Sequence, residues 1–208
     1  MRKFVNMTET EETVCEIQKE KFLRMWDEIE DRPGLSNCLR WLQEETDFFT
    51  APASTKFHGA WPGGLCEHSL NVADALFKLL DVFDPYGGTG IDDDSIILVA
   101  LLHDVCKTNF YTETTRRQKD ASGKWTETRT YTIEDALPMG HGEKSLYQLL
   151  QTGLKLTDQE AAAIRWHMGV HHATDNKKAL DDAFKKYPLV LFLHMADMIA
   201  ANYTERES

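Results

Sequence analysis

The chain lacks long apolar runs and an excess of positive charge. A helix that crosses a membrane needs about 20 predominantly apolar residues, and no segment approaches that length. Lys and Arg number 23 against 34 acidic residues in a chain of 208, which gives a formal net charge of −11. Because such a surface repels polyanions, the sequence argues against tight binding to nucleic acid or to an acidic membrane.

Cysteine is scarce as well. The four cysteines are widely spaced and form no Cys-x-x-Cys pair: Cys15, Cys38, Cys66 and Cys106. Free thiols in a reducing compartment are the simplest interpretation, so we expect a cytoplasmic protein. Polar residues follow the basic start of the chain where a secretory signal needs an apolar run, so we expect no signal peptide.

Hydrophobic periodicity predicts a mainly helical protein. Hydrophobic residues make up 42% and charged residues 27% of the chain, which is a globular composition. Apolar residues at helical spacing predict helices over residues 8–31, 36–49, 65–83, 92–105, 142–152, 157–170 and 179–202. Pro188 is expected to divide the last of these. Strict alternation of threonine with larger side chains predicts one β-hairpin within residues 110–133.

A His-Asp pair ends the most apolar of the predicted helices. His103 and Asp104 follow a run of Leu, Val and Ile, and Lys107 lies about one helical turn beyond them. Burying a carboxylate beside an imidazole is costly unless a metal ion or a partner charge compensates. On this segment alone, a helix end with a surface Asp–Lys pair is an equally good interpretation.

Other histidines and one aspartate stand in settings that suit ligands. His68 follows a glycine-rich turn, where the backbone can approach an anion closely. Asp197 lies in the middle of an apolar helix, where a buried acid needs a partner. His141 lies at a loop-to-helix junction, and His167 lies near the end of a helix. Taken alone, His68 is more often a satisfied interior histidine than a ligand, and a metal is one candidate partner for Asp197.

Taken together, the ordered motifs resemble the HD-domain metal-dependent phosphohydrolase superfamily. That family has a histidine, then a His-Asp pair, then a distant aspartate, which His68, His103-Asp104 and Asp197 match here. A lysine often follows the pair, and Lys107 matches it. The resemblance covers about residues 50–202 and implies a helical bundle in which these residues meet in the core.

The resemblance suggests a division of the chain. Residues 50–208 would form the HD-type domain, and residues 1–49 would form a helical pair. The sequence leaves open whether that pair packs on the core, extends it or forms a dimer. Many HD domains self-associate through helices, so a homo-oligomer is an open alternative.

The flanks of the motifs resemble a narrower group, the catalytic module of YhaM-type 3′–5′ exoribonucleases. The similar stretches are residues 62–68, Gly140-His141 and Trp166-His167-Met168-Gly169. Met168 stands where that group has the second histidine of a His-His-Gly motif. The residues before His58 read as helices and leave no room for the N-terminal OB-fold of those nucleases.

The resemblance implies a metal centre with one or two divalent ions. His68, His103, Asp104 and Asp197 would hold one ion. Asp104 would bridge to a second ion, which His141 and His167 would complete. Imidazole and carboxylate ligands suit Mn, Fe, Co, Ni, Zn or Mg, and ligand type does not choose among them.

Asp104 and Lys107 are the expected catalytic residues. The metal would lower the pKa of a bound water, which attacks phosphorus in line. Lys107 would neutralise a phosphoryl oxygen or hold Asp104 in place. His58 could contact the substrate, and His194 is expected in the core or beside a ligand. His171 and His172 are expected at the surface, with a share of His171 in the second site as the weaker alternative.

The predicted hairpin carries a local excess of positive charge. Residues 112–132 hold three acids and five basic residues, which are Arg116, Arg117, Lys119, Lys124 and Arg129. The hairpin follows Lys107 closely, so these residues could meet substrate phosphates. A solvated hairpin whose edge charges block aggregation is the slightly favoured interpretation.

We therefore expect a metal-dependent phosphohydrolase that cleaves a phosphoester of a nucleotide or a similar small phosphate compound. The acidic surface favours a small phosphorylated substrate over a polymer. A YhaM-type 3′–5′ exoribonuclease or phosphodiesterase is the first alternative. A non-catalytic, metal-bound nucleotide sensor is the second.

Overall fold

The computed structural model describes residues 7–119, 123–169 and 177–205. In these ranges the chain forms eight α-helices and a two-stranded antiparallel hairpin. The helices are α1 (Glu9–Trp26), α2 (Leu35–Glu44), α3 (Gly64–Phe83), α4 (Asp93–Leu102), α5 (His141–Gln151), α6 (Asp158–Trp166), α7 (Lys177–Lys186) and α8 (Pro188–Ile199). The strands are β1 (Tyr111–Lys119) and β2 (Trp125–Ile133). The predicted fold class, mainly α with one inserted β-hairpin, is confirmed.

Polar residues mark the starts of several helices. Thr8 before α1 and Thr157 before α6 each form a capping box with the glutamate at the third helical position. Asp92 caps α4 by accepting from the backbone N–H of Ser95. Pro188 occupies the first position of α8, where its missing N–H costs nothing, so the predicted division of the last helical segment is correct.

The second helix ends earlier than predicted, at Glu44 instead of Phe49. The hydroxyl of Thr46 donates to the carbonyl of Leu42 at 2.7 Å and accepts from the N–H of Phe48 at 3.2 Å. Such side-chain bonds compete with helical backbone bonds and end the helix. Phe48 and Phe49 are nevertheless buried, because the chain folds back over the core after the helix.

The most apolar helix is central, as its sequence predicts. Every residue of α4 from Ser95 to Leu102 is buried, and α4 contacts α1, α3, α6 and α8. The helix ends at Leu102 and a short 3-10 turn, Val105–Lys107, follows. The predicted continuous helix to Val105 is therefore wrong by about one turn.

The N-terminal helices pack on the same core as the central ones. Phe22 and Trp26 of α1 and Cys38 and Leu42 of α2 are buried in one continuous apolar cluster with residues of α3 and α4. This packing places the helical pair over the core. The division of the chain after residue 49 stays a prediction.

The hairpin is anchored at its base and exposed at its tip. Phe110, Tyr111 and Tyr131 form a small buried cluster, and the hydroxyl of Tyr111 donates to the carbonyl of Ala53 at 3.2 Å. Lys119 and Trp125, at the far end of the ladder, are exposed. None of the helices in the described ranges is long and apolar enough to span a bilayer.

Candidate metal centre

A glycine-rich turn sets the start of α3 and thereby the position of His68. Gly63 precedes the helix with φ of +81°, which favours glycine. A Cβ on Gly64 would lie 2.1 Å from the carbonyl oxygen of Gly59. The glycines thus allow two segments of the protein's own backbone, at Gly59 and Gly64, to approach each other closely. His68, in the second turn of α3, is buried.

The end of α4 aims His103 and Asp104 at the interior. Nδ1 of His103 lies 2.8 Å from the carbonyl oxygen of Ala100. A carbonyl only accepts, so Nδ1 carries the proton and the lone pair is on Nε2. Asp104 leaves the helical conformation with φ of −110°, and both residues are buried.

Asp197 on α8 faces His68 across the core. One of its oxygens, Oδ1, lies 3.2 Å from Nε2 of His68. The small buried residues Ala196 and Ala200 flank it in sequence and let α8 pack closely against α3. The sequence prediction that this acid has a partner in the core is in agreement with the geometry.

His167 ends α6 in the same orientation as His103. Its Nδ1 lies 2.7 Å from the carbonyl oxygen of Ile164, so Nε2 again carries the free lone pair. That Nε2 lies 3.5 Å from Oδ1 of Asp104. His194 stands behind it, with Nδ1 donating to the carbonyl oxygen of His167 at 2.6 Å. His194 therefore contacts the backbone of a candidate ligand, as predicted. Its Nδ1 points to that backbone carbonyl and not to the cluster.

His141 reaches the cluster because α5 packs tightly on α6. A Cβ on Gly142 would lie 2.1 Å from the carbonyl oxygen of Arg165, so only glycine allows this approach. His141 is the first residue of α5, and its Nδ1 lies 3.3 Å from Sγ of Cys106.

The two oxygens of Asp104 face two different sets of donors. Oδ2 lies 3.6 Å from Nε2 of His103 and 3.7 Å from Nε2 of His68, and these two nitrogens are 3.3 Å apart. Oδ1 lies 3.5 Å from Nε2 of His167 and 3.8 Å from Sγ of Cys106. A carboxylate with donors on both sides can bridge two ions.

The surroundings of the cluster favour positive charge next to the acids. Burial opposes a charge on His68, but the carboxylates of Asp197 and Glu205 raise its pKa to about 9. Burial would raise the pKa of Asp104, but Lys107 and the neighbouring histidines hold it well below its usual range. Burial lowers the pKa of His103 to about 4, which keeps its Nε2 available as a ligand.

One buried nitrogen among the described residues of the cluster makes no hydrogen bond, although it lies near a carboxylate. In the part of the chain that the structure describes, Nε2 of His167 makes no hydrogen bond although it is inaccessible to solvent. Leaving a buried polar atom without a hydrogen bond is costly. A divalent ion between His167, Asp104 and their neighbours would satisfy it. Imidazole and carboxylate donors are the groups that such ions take, so the residues present fit a metal centre.

Lys107 holds Asp104, which is one of the two roles expected for it. Its Nζ lies 2.6 Å from Oδ2 of Asp104, and only 12% of its side chain is exposed. His58 lies beside the cluster, with its ring centroid 5.1 Å from that of His68. Burial, His68 and Lys107 lower the pKa of His58. Its contact with substrate stays a prediction, and His171 and His172 lie outside the described residues.

Sequence reasoning missed two residues that the fold brings to the cluster. Glu205 follows a π-helical turn, Ala200–Thr204, whose bond from the N–H of Glu205 to the carbonyl of Ala200 is 3.0 Å long. Its carboxylate accepts from Nδ1 of His68 at 3.0 Å and from Asn71 at 3.0 Å. Cys106 was interpreted only as a free thiol. Its place two residues after Asp104 was the signal that could have found it.

Comparison with known proteins identifies the family. The sequence profile of the HD domain matches residues 65–202, most of the chain. The chain belongs to the HD-domain family. All the residues predicted as metal ligands lie within that match, and the structure brings them into one cluster. Their role as ligands stays a prediction. Glu205 lies just beyond the matched residues.

One curated relative matches about a quarter of the chain. The chain is 42% identical over 57 residues to a dihydroneopterin 2′,3′-cyclic phosphate phosphodiesterase of Methanocaldococcus jannaschii. The match covers 27% of this chain and 23% of the relative. No solved structure matches the chain significantly.

Proposed function

We propose that the protein is a metal-dependent phosphohydrolase that cleaves a phosphoester of a nucleotide or a similar small phosphate compound. The observation that carries the proposal is the buried, unpartnered Nε2 of His167 beside Asp104. His167, His103 and Asp197 offer donor atoms that lie within 4.8 Å of one another, and so do His68, His103 and Asp104.

The donors divide into two candidate sites that share Asp104. His68, His103 and Asp197 would hold one ion with Oδ2 of Asp104 on their side. His141 and His167 would serve a second ion on the Oδ1 side. When bound, such ions polarise a phosphoryl oxygen and make a bound water acidic enough to act as the nucleophile.

The protein's own residues would orient the ligands and neutralise charge. Backbone carbonyls fix the tautomers of His103 and His167, and Glu205 does the same for His68, so each presents Nε2 to the centre. Lys107 compensates the charge of Asp104 and keeps its carboxylate in place. His141 is exposed, so a substrate phosphate could reach the cluster from the side on which His141 lies.

The relative supports a phosphodiester as one substrate to test. Its name describes cleavage of a 2′,3′-cyclic phosphate of a pterin compound. A small cyclic phosphodiester carries one negative charge, so an acidic protein repels it less than it repels a polynucleotide. The YhaM-type exoribonuclease is the second candidate, because Gly140-His141 and residues 166–169 resemble that group.

The test is a substrate panel on protein reconstituted with Mn²⁺ or Zn²⁺. The panel contains nucleoside monophosphates, 2′,3′-cyclic nucleotides, a chromogenic phosphodiester and labelled single-stranded RNA. We expect hydrolysis of one small phosphate class, and its loss in Asp104→Ala. Asp181→Ala, on α7 at an exposed position, is the control that should retain activity.

The outcomes separate the three candidate functions. Full activity of Asp104→Ala would overturn the proposal. Stepwise 3′ shortening of RNA, without turnover of small substrates, would favour the exoribonuclease. Bound metal and bound nucleotide without cleavage of any substrate would favour the sensor.

A further inference from the structure

Cys106 is held firmly at the second side of Asp104. Its thiol lies in the 3-10 turn after α4 and is buried. The backbone N–H of Cys106 donates to the hydroxyl of Ser145 on α5 at 3.2 Å. This bond joins the turn to α5, which also carries His141. The thiol and the imidazole therefore have a fixed relative position.

The distances around the thiol are those of a coordination site. Sγ of Cys106 lies 3.3 Å from Nδ1 of His141 and 3.8 Å from Oδ1 of Asp104. A tetrahedral ion with bonds of about 2.3 Å to sulfur and about 2.0–2.2 Å to nitrogen or oxygen places the sulfur about 3.5–3.7 Å from its neighbouring donors. The observed separations are within about 0.3 Å of that range.

A hydrogen bond explains only part of this arrangement. The thiol can donate to Oδ1 of Asp104 while its sulfur accepts from Nδ1–H of His141, so hydrogen bonds account for the two sulfur contacts but not for the neighbouring His167. Oδ1 of Asp104 also faces the buried, unpartnered Nε2 of His167 at 3.5 Å. A cation on this side of Asp104 would be held by the donor atoms of Cys106, His141 and Asp104, which lie within 4.8 Å of one another, next to the unpartnered nitrogen of His167. This unpartnered nitrogen is independent of the cysteine and points to a ligand there.

The other cysteines lie in different surroundings. Among the groups of His, Cys, Asp and Glu donors that the described residues form, only the one with Asp104 and His141 includes a cysteine. Cys38 is buried in the apolar core with Leu35 and Leu42. The position of Cys106 is thus not a general consequence of thiol burial in this fold.

We propose that Cys106 is a thiolate ligand of the second ion, together with His141 and Asp104. The inference rests on the proposed metal centre and specifies its chemistry. Binding would release the thiol proton to solvent, because a coordinating thiol is deprotonated by the ion. A thiolate is a soft ligand, so this site would select Zn²⁺, Co²⁺ or Fe²⁺ and reject Mg²⁺. The first site, with nitrogen and oxygen donors only, would be less selective.

The experiment observes sulfur coordination directly, without an activity assay. The 208-residue protein is stripped with chelator and titrated with Co²⁺, and the sulfur-to-cobalt charge-transfer band is recorded in the near ultraviolet. We expect the band in wild type, its loss in Cys106→Ser, and its retention in Cys38→Ser. The zinc-loaded wild type is examined by X-ray absorption, where a Zn–S shell at about 2.3 Å is expected.

A second readout follows metal preference. Removing a residue that hydrogen-bonds to a metal ligand lowers metal affinity by about 10–100-fold. Removing a ligand itself, as in Cys106→Ser, should therefore lower the affinity of the second site for Zn²⁺ by about 100-fold or more. Binding of Mg²⁺ should not weaken. Cys38→Ser should bind Zn²⁺ as wild type does.

The results distinguish this inference from the proposed function. Ions bound with only nitrogen and oxygen neighbours, and no charge-transfer band, would overturn the thiolate ligand and leave the metal centre standing. A band that persists in Cys106→Ser would also overturn it. No binding of any ion to wild type would overturn the metal centre itself. If Cys106→Ser does not fold, as judged by circular dichroism, the X-ray absorption spectrum of the zinc-loaded wild type tests the thiolate ligand on its own.

Discussion

The candidate metal centre and the β-hairpin both contain ion pairs, but they place them in opposite surroundings. Lys107 and Asp104 lie 2.6 Å apart with 12% and 2% of their side chains exposed. Arg117 and Glu127 lie 2.9 Å apart with 77% and 58% exposed. Similar distances therefore have different meanings. The stability of a buried charge depends on its partner. An exposed charge is stabilised by water and dissolved ions even when its partner is removed.

The largest difference is expected when the cation of each pair is removed. Lys107→Ala leaves Asp104 buried without its counter-charge, which should cost about 3–5 kcal/mol of unfolding free energy. Arg117→Ala should cost less than about 1 kcal/mol. Urea unfolding of both variants in the presence of a chelator measures the difference. Equal losses would contradict the distinction between the two regions.

A smaller effect is expected from the carboxylate that orients His68. Glu205→Ala removes the acceptor of the Nδ1 proton of His68, so metal affinity should fall by about 10–100-fold. Glu127→Ala, in the hairpin, should leave metal affinity unchanged. Calorimetric titration with Mn²⁺ measures both. An unchanged affinity in Glu205→Ala would mean that this residue does not position the ligand.

The smallest effect is expected from the exposed basic residues of the hairpin. Arg116, Arg117 and Lys119 are exposed on β1, beyond its buried base. If they are solvated, replacing all three by Ala should change kcat/KM for a small phosphate substrate by no more than about two-fold. A ten-fold loss of kcat/KM in the triple Ala variant, absent when the three positions carry Lys, would instead indicate that the hairpin contacts the substrate.

The sequence predicted those features that depend on local pattern. The alternation of residues 125–133 predicted a strand, and Pro188 predicted a helix boundary, because backbone chemistry acts over one or two residues. The unbroken apolar run of α4 predicted a central helix because only a buried helix tolerates it. His103 and Asp104 were found because charge at the end of that run needs compensation.

The features that sequence reasoning missed depend on contacts between distant segments. Glu205 and His68 are 137 positions apart, and the π-helical turn that brings them together has no clear sequence signal. Cys106 and His141 are 35 positions apart and meet because α5 packs on the 3-10 turn, to which Ser145 is hydrogen-bonded. The early end of α2 depends on the hydroxyl of Thr46, whose competing bonds appear only in the folded chain.

The most direct test of the central claim is the number of metal atoms bound per chain in wild type and in His141→Ala. Elemental analysis after reconstitution and dialysis gives both values. The account predicts about two atoms per wild-type chain and about one in the variant, because His141 serves only the second ion. No bound metal in either protein would contradict it.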